Sequence, residues 1–282
     1  MGDKKVWLVT GASKGLGLSL VNQLLSAGQK VAATSRSIND LIDAVNTNSA
    51  NFLPLAVNLT NEASVQQAVA DTVQKFGRID VAINNAGYGI GGSIEELSDR
   101  ETRDSFDVNV FGTMNIIRHV MPFMRKQKSG SIINISSIAG IAGATGWAVY
   151  AAAKSAVIAL SEVLAEDVKA FGIKVTVVAP GAFRTSFLTP ESLVMAAKPI
   201  TEYEDVRSVH ERYLKMDGAQ IGDPDKAAAA MIALVAMPHP PLHLLLGNDA
   251  LDRANAKINA LSKELNDWKA ISVSTNFEQD LV

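Results

Sequence analysis

The sequence predicts an α/β protein: a doubly wound parallel sheet of about seven strands with helices on both faces. Two observations carry this. Short apolar runs alternate with helix-like segments four times within the first 85 residues, a pattern that needs crossover helices and a sheet covered on both faces. The first run also ends in a glycine-rich turn that opens straight into a helix, the join typical of such sheets.

Taken in order, VWLVTG (Val6 to Gly11) is the first strand, and LGLSLVNQLLSAG the helix closed by Gly28. KVAATSR is the second strand and INDLIDAVNTN a short amphipathic helix. FLPLAV follows as the third strand. The next helix is capped near Thr60 or Asn61 and carries Val65, Ala68, Val69, Thr72 and Phe76 at helical spacing. IDVAIN is the fourth strand. Asp99 to Lys128 reads as one continuous helix that Pro122 kinks or restarts. SIINIS, a helix from about Trp147 to Phe171, and KVTVVAP come next. Gly181 to Gly222 breaks the alternation and is read as an insertion with a helix or two. A helix from Asp223, the strand LHLLLG and a polar helix from Asp249 to about Ala270 finish the pattern, and the tail from Ser272 has none. The expected organisation is one domain over 1–282, with a substrate-loop insertion at about 181–222 and a C-terminal helix and tail at about 249–282.

Composition narrows the function classes. The 282 residues are 48% hydrophobic and 20% charged, a balance that supports a sizeable core and excludes general disorder. A net charge of −3 and a pI near 5.8 give no basic footprint for nucleic acid or an anionic membrane. The absence of cysteine removes disulfides, thiol catalysis and thiolate metal sites. The opening MGDKKVWLVTG has no signal-peptide core or Arg-rich transit segment, and no run reaches the about 18 uncharged apolar residues of a membrane span. A soluble, cytoplasmic protein is expected. His239 and His243 have a metal-like spacing but sit in a Pro-rich connection without an acid, so no metal site is expected. His119, Glu95, Glu96 and the charges from Glu202 to Arg212 read as solvated faces.

Four sets of residues carry chemistry. In Thr10-Gly11-Ala12-Ser13-Lys14-Gly15-Leu16-Gly17, glycines between strand and helix let a pyrophosphate approach the backbone, while the helix N-terminus supplies N–H donors and positive dipole. This is the Rossmann arrangement for a dinucleotide. The second strand ends at Ser35-Arg36 with no acid to take a ribose 2′-hydroxyl, and Lys14 and Arg36 instead suit a 2′-phosphate, hence NADP(H) over NAD(H). Asn58-Leu59, Asn84-Asn85-Ala86-Gly87 and Asn109 stand at later strand ends and in a helix. A turn explains Asn84 and Asn85, whereas Asn109 between apolar residues needs a polar task. Finally, Tyr150 and Lys154 leave one helix face, where the cation is expected to lower the phenol pKa from roughly 10 and make a general acid/base. Ser137, thirteen residues earlier, can donate to a substrate carbonyl.

Together these motifs, with Pro180-Gly181-Ala182-Phe183-Arg184-Thr185, resemble the short-chain dehydrogenase/reductase family in order and spacing from about Lys4 to Thr185. The glycine spacing is similar to its common reductase branch, and the PGAFRTSFL segment with the long tail to a retinol/17β-hydroxysteroid dehydrogenase-like or carbonyl reductase subgroup. The resemblance implies that Tyr150 gives a proton to the substrate oxygen as hydride reaches the carbon. It implies that Lys154 holds the nicotinamide ribose and tunes Tyr150, that Ser137 binds the carbonyl oxygen, and that Asn109 holds a proton-relay water. It places Pro180, Gly181, Phe183 and Thr185 along the nicotinamide and Asn58 where the family has an acid over the adenine. A homodimer or homotetramer is implied through the helix after Tyr150 and the long helix before it. Ile138, Ile141, Ala142, Ala144, Trp147, Phe183, Phe187 and Leu188 are candidates for an apolar substrate wall. The expected activity is NADPH-dependent reduction of an apolar ketone or aldehyde. Its rivals are an alcohol or hydroxysteroid dehydrogenase working oxidatively, a non-catalytic dinucleotide sensor, and a non-redox relative such as a dehydratase.

Overall fold

A computed structural model describes residues 4–277. Its centre is a seven-stranded, all-parallel sheet in the order β3-β2-β1-β4-β6-β7-β9. The strands are β1 (Val6–Thr10), β2 (Lys30–Ser35), β3 (Phe52–Ala56), β4 (Val81–Asn84), β6 (Gly130–Ile135), β7 (Ile173–Pro180) and β9 (His243–Leu246). Order runs outward in both directions from β1 and β4, so their C-terminal ends flank the switch point where such sheets hold ligands. Every residue of β1 is buried. Trp7 and Val9 join one core and Leu8 the other, as the two-residue side-chain period of a doubly covered strand requires.

Helices α1 (Gly15–Ser26), α2 (Ile38–Val45) and α8 (Pro224–Ala236) cover one face, with Leu20, Leu24 and Met231 fully buried there. Helices α3 (Glu62–Phe76), α5 (Gly112–Gln127) and α6 (Ala148–Val168) cover the other through Val65, Ile116, Val120 and Met124. Capping is written locally. Asn61 accepts from Ser64 N at the start of α3, and Gly77 at φ +84° ends it. Asp223 caps α8, whose first residue is Pro224.

The expected single helix from Asp99 to Lys128 is instead α4 (Asp99–Phe106), a π-helical turn over Asp107–Phe111, and α5, which accommodates Pro122. The cause lies in Asn109: its Nδ2 donates to the Ser105 carbonyl four residues back (3.0 Å), taking the acceptor an α-turn would use. A second difference is a small parallel pair, β5 (Gly89–Gly91) with β8 (Leu193–Met195), which stitches the insertion to the segment after β4. The insertion also holds α7 (Glu204–Leu214). The C-terminal helix α9 (Asn248–Asp267) is followed by α10 (Lys269–Val273), so the patternless tail begins later than Ser272; 278–282 of it lie outside the described residues. Length and hydropathy alone qualify the 24-residue stretch Ala148–Phe171 as a membrane span. This stretch packs on β7 and buries Lys154 and Ser161 in the body.

Candidate active site

The glycine turn between β1 and α1 can only be built with glycine. Gly11 and Gly15 adopt φ of +65° and +57°, and a Cβ at Gly11 would lie 2.7 Å from the Ala86 Cα. At Gly17 it would overlap the Gly11 carbonyl and the Asn85 amide. Neighbouring strands lock the turn: Ala12 N donates to Thr34 O (2.9 Å), and Asn85 Nδ2 donates to Thr10 O and Gly11 O (2.9 and 3.0 Å). Thr10 Oγ1 accepts from Asn85 N and Ala86 N (3.0 Å each). Asn85 is thus a brace for the turn. Asn84 is more than a turn residue: it is buried, donating to Asn134, which donates to Ser161 (2.8 Å each).

Ser35 Oγ donates to Ser13 Oγ (3.2 Å), joining the turn to the end of β2, where Arg36 stands exposed. Lys14 precedes the first turn of α1. Asn58 is exposed at the end of β3, its Oδ1 accepting from Thr60 N and Oγ1, and the Leu59 carbonyl is held by Asn115 (3.0 Å). From the other side, the segment after β7 returns to the turn, with Thr185 beside Gly15. A surface of backbone N–H groups and small residues, with Lys14 and Arg36 at its rim, fits a dinucleotide. A side chain at Gly11 or Gly17 would displace the Ala86 backbone or the Asn85 brace that gives the cradle its shape.

Next to it lie the four expected catalytic residues. Tyr150 and Lys154 are buried one turn apart on α6. Lys154 Nζ donates to Ile135 O (3.0 Å) and sits 5.8 Å from the Tyr150 ring centroid. A side chain at Gly87 would run into Asn109 Oδ1 and lie 3.2 Å from Lys154 Nζ, so this glycine lets the loop after β4 reach the lysine. Asn109 accepts from Tyr88 N (3.2 Å) and donates to Tyr88 O (3.1 Å), so its amide clamps that loop. Ser137 caps a short 3-10 turn by accepting from Ala139 N (3.1 Å). Ser136 is separate: it donates to Lys154 O (2.8 Å), tying α6 to β6.

The expected lowering of the Tyr150 pKa does not occur here. Burial pushes the phenol up to about 12, only partly opposed by hydrogen bonding with Ser137. Burial also pushes Lys154 down to about 8. The lysine has its own carbonyl partner, and desolvation outweighs the neighbour effect that i,i+4 spacing suggests.

Of the expected substrate wall, Trp147, Phe187 and Leu188 gather about Tyr150, with Phe187 tilted on it at 5.8 Å and Trp147 edge-on at 6.3 Å. Ile138, Ile141 and Ala142 instead pack under α9 against Ala250 and Ala254. Phe183 faces the other core and bridges Gly222. Ile90, Leu193, Met195 and Tyr213, which the sequence did not single out, belong to the same apolar cluster.

The sequence also missed what holds the wall. Glu96, expected on a solvated face, has a fully buried side chain that accepts from Ser93 N and Ile200 N (2.7 Å each) and pairs with Arg207 (2.5 Å). Burial alone would raise its carboxyl, but the Ile200 and Ser93 N–H groups and the Arg207 guanidinium outweigh it and hold it at about 2. His210 is buried, donating to Gly146 O (3.0 Å) edge-on to Trp147. A cavity of about 210 Å³ lies between α7 and β5, lined by Gly91, Met195, Arg207, His210 and Leu214. Asp249 accepts from Ala182 N (2.8 Å) and pins the segment after β7. Of the remaining predicted surface residues, Glu95 accepts from the Tyr203 hydroxyl (2.7 Å), His119 pairs with Glu62 (3.1 Å) and His243 with Glu162 (3.3 Å).

Comparison with known proteins agrees with this geometry. The chain is similar to 3-ketodihydrosphingosine reductase of Bacteroides thetaiotaomicron, 37% identical over 243 residues, 86% of this chain and 88% of the relative. A short-chain dehydrogenase from Streptomyces avermitilis superimposes with a TM-score of 0.91 at 37% identity, covering 98% of this chain and all of that one. ElxO with NADP bound gives 0.72 at 26% identity, covering 89% and 100%. The family model described as short chain dehydrogenase matches residues 5–193, and the chain belongs to that family of oxidoreductases.

Proposed function

We infer that the protein is an NADPH-dependent reductase of an apolar ketone or aldehyde, with Tyr150 as the general acid. The observation that carries this reading is the burial of Tyr150 and Lys154 together beside Ser137, at the point where the cradle between β1 and β4 meets an apolar wall.

Gly11, Ser13, Gly15, Leu16 and Gly17 would hold the dinucleotide phosphates, with Lys14, Ser35 and Arg36 at the adenosine ribose. Asn58 and Leu59 would border the adenine, and Ala86, Gly87, Pro180, Gly181 and Thr185 the nicotinamide half. When bound, the dinucleotide supplies the hydride. The chain does the rest. Ser137 donates a hydrogen bond to the carbonyl oxygen and orients it. Tyr150, kept protonated at neutral pH by burial, is an acid with its proton in place, and it gives that proton to the oxygen as negative charge develops there. The resulting phenolate is stabilised by the Lys154 ammonium in a desolvated site, where opposite charges interact more strongly than in water. Asn109 holds the loop after β4 against Lys154. The wall of Trp147, Phe187 and Leu188 excludes water and favours an apolar substituent on the carbonyl; the similarity to 3-ketodihydrosphingosine reductase supports a ketone as the substrate.

The test is NADPH consumption across a panel of ketones and aldehydes, with NADH and with the alcohol plus NADP in parallel. Turnover of bulky apolar ketones should fall at least about a thousandfold in Tyr150→Phe, consistent with removal of the proton donor, while NADPH binding is retained. Equal activity in the variant, or preference for small polar carbonyls, overturns the reading. Faster alcohol oxidation than reduction at neutral pH favours the oxidative rival.

A further inference from the structure

Beyond Ala254, which is buried against Ile138, α9 leaves the body, and every residue from Asn255 to Phe277 is exposed. This arm is not uniformly polar. Leu251, Ile258, Leu261, Leu265 and Trp268 are 48%, 57%, 45%, 64% and 59% exposed. Together with Ala254 they recur at alternating intervals of three and four residues, the seam of a two-stranded coiled coil. An apolar seam of this kind on a helix about 30 Å long lacks a covering partner within the described chain.

We propose that the arm is a self-association element, in which α9 of two copies of this chain pair antiparallel about a two-fold axis near Ala260. The charges flanking the seam choose this occupant. Lys257 and Glu264 hold equivalent positions in successive repeats, on the same side of the seam. In an antiparallel pair that sets Ile258 opposite Leu261 of the second copy, Lys257 faces Glu264 of that copy and Glu264 faces its Lys257, giving two ion pairs from one sequence. The same register sets Leu251 opposite Trp268 of the second copy. Its Leu265 comes to the edge of the body, where Ala254 is already covered by Ile138. A two-fold interface must be self-complementary in this way, and flanking charges are what fix orientation in such pairs. A membrane is a poorer occupant: from Asn248 to Phe277 four acidic and four basic side chains balance, whereas interfacial helices carry a basic face. The register also returns each arm tip to the other copy's body, beside the turn where Arg253 donates to Ala142 O in the segment following Ser137. This surface is distinct from the helices after and before Tyr150 on which an oligomer was first expected.

The test uses the full chain, whose lack of cysteine leaves introduced thiols as its only ones. Sedimentation velocity at micromolar concentration should give a multiple of the 29.9 kDa chain mass. Leu261→Asp/Leu265→Asp should halve that mass without changing the circular dichroism or NADPH binding of the body. Lys257→Glu should weaken association about tenfold, and the reversed pair Lys257→Glu/Glu264→Lys should restore it. Leu251→Cys/Trp268→Cys, which this register sets opposite each other, should form a disulfide-linked dimer on mild oxidation, and Lys263→Cys, on the outer face, should not. A wild-type mass of one chain overturns the proposal. So does a mass indifferent to Leu261→Asp/Leu265→Asp, a charge reversal that fails to restore association, absence of the Leu251→Cys/Trp268→Cys cross-link, or an arm-dependent pelleting of the chain with anionic phospholipid vesicles in place of self-association.

Discussion

The two walls of the cleft are built by opposite means. On the cradle side, Gly11, Gly15, Gly17 and Gly87 create space by having no side chain, and the turn is fixed by short bonds from Thr10, Ala12 and Asn85 to neighbouring strands. On the lid side, β8 and α7 are held by long side chains reaching across a cavity, above all the Glu96–Arg207 pair and the His210–Gly146 contact. One wall is set by backbone geometry and tolerates almost no added atom. The other is set by side-chain partners, which can be exchanged without disturbing the sheet. This division suits an enzyme whose cofactor is fixed and whose substrate is a matter of the insertion.

The sharpest way to break the cradle is to add one methyl group. Gly17→Ala places a Cβ where the Gly11 carbonyl and the Asn85 amide already stand, so the turn must open. NADPH affinity should fall a hundredfold or more, about 3 kcal/mol by the affinity scale. Calorimetric titration should show this loss, and the thermal midpoint should fall as well, because backbone must shift to admit the Cβ.

The lid should respond less, and in another observable. Glu96→Gln keeps the shape but leaves the Arg207 guanidinium without its counter-charge, costing about 2 kcal/mol for a pair with one partly exposed member, and a lower Tm by several degrees. The KM for the ketone should rise several-fold while NADPH affinity stays level. The same pair sets an acid limit. The Glu96 carboxyl sits at about 2 when folded against roughly 4.3 in an unfolded chain, so between these values the folded state binds fewer protons. Its contribution is complete above about pH 4.3 and is lost as pH falls through 2. Acid unfolding monitored by circular dichroism should therefore bring wild type and Glu96→Gln together as pH drops, and a constant gap between them would remove Glu96 from the lid's support.

This contrast also explains how much the sequence disclosed. The strands, the covering helices and the glycine turn were legible because their causes are local: burial periodicity, caps, and glycines at fixed spacing. The spacing of Tyr150, Lys154 and Ser137, from which their catalytic roles are proposed, is local in the same way. Glu96 was not legible, because the group that identifies it as buried, the Ile200 N–H, is 104 residues away, and Glu95-Glu96 reads locally as a charged surface. Asp249 was hidden likewise, holding Ala182 from 67 residues on. Ile138 and Phe183 were assigned to the substrate wall from their nearness in sequence to Ser137 and Thr185, but which way each side faces is decided by α9 and by Gly222. The pKa of Tyr150 failed on depth: spacing reveals a neighbouring cation and says nothing of how far both are buried.

Arg36 is the place where the cradle departs from its own rule, and it offers the smallest effect and the finest test of the comparison. Elsewhere on that wall the shape comes from the backbone, yet the end of β2 presents an exposed guanidinium. A 2′-phosphate there would gain a charge-assisted contact, discounted by solvent to about 1 kcal/mol. Arg36→Asp should weaken NADPH binding about tenfold or somewhat more and leave NADH level or improved, since the carboxylate can accept from a ribose hydroxyl and repels a phosphate. Steady-state kinetics with both cofactors measures the ratio directly. If the ratio does not move, the side-chain exception does not exist, and any preference must lie in the turn around Ser13 and Lys14.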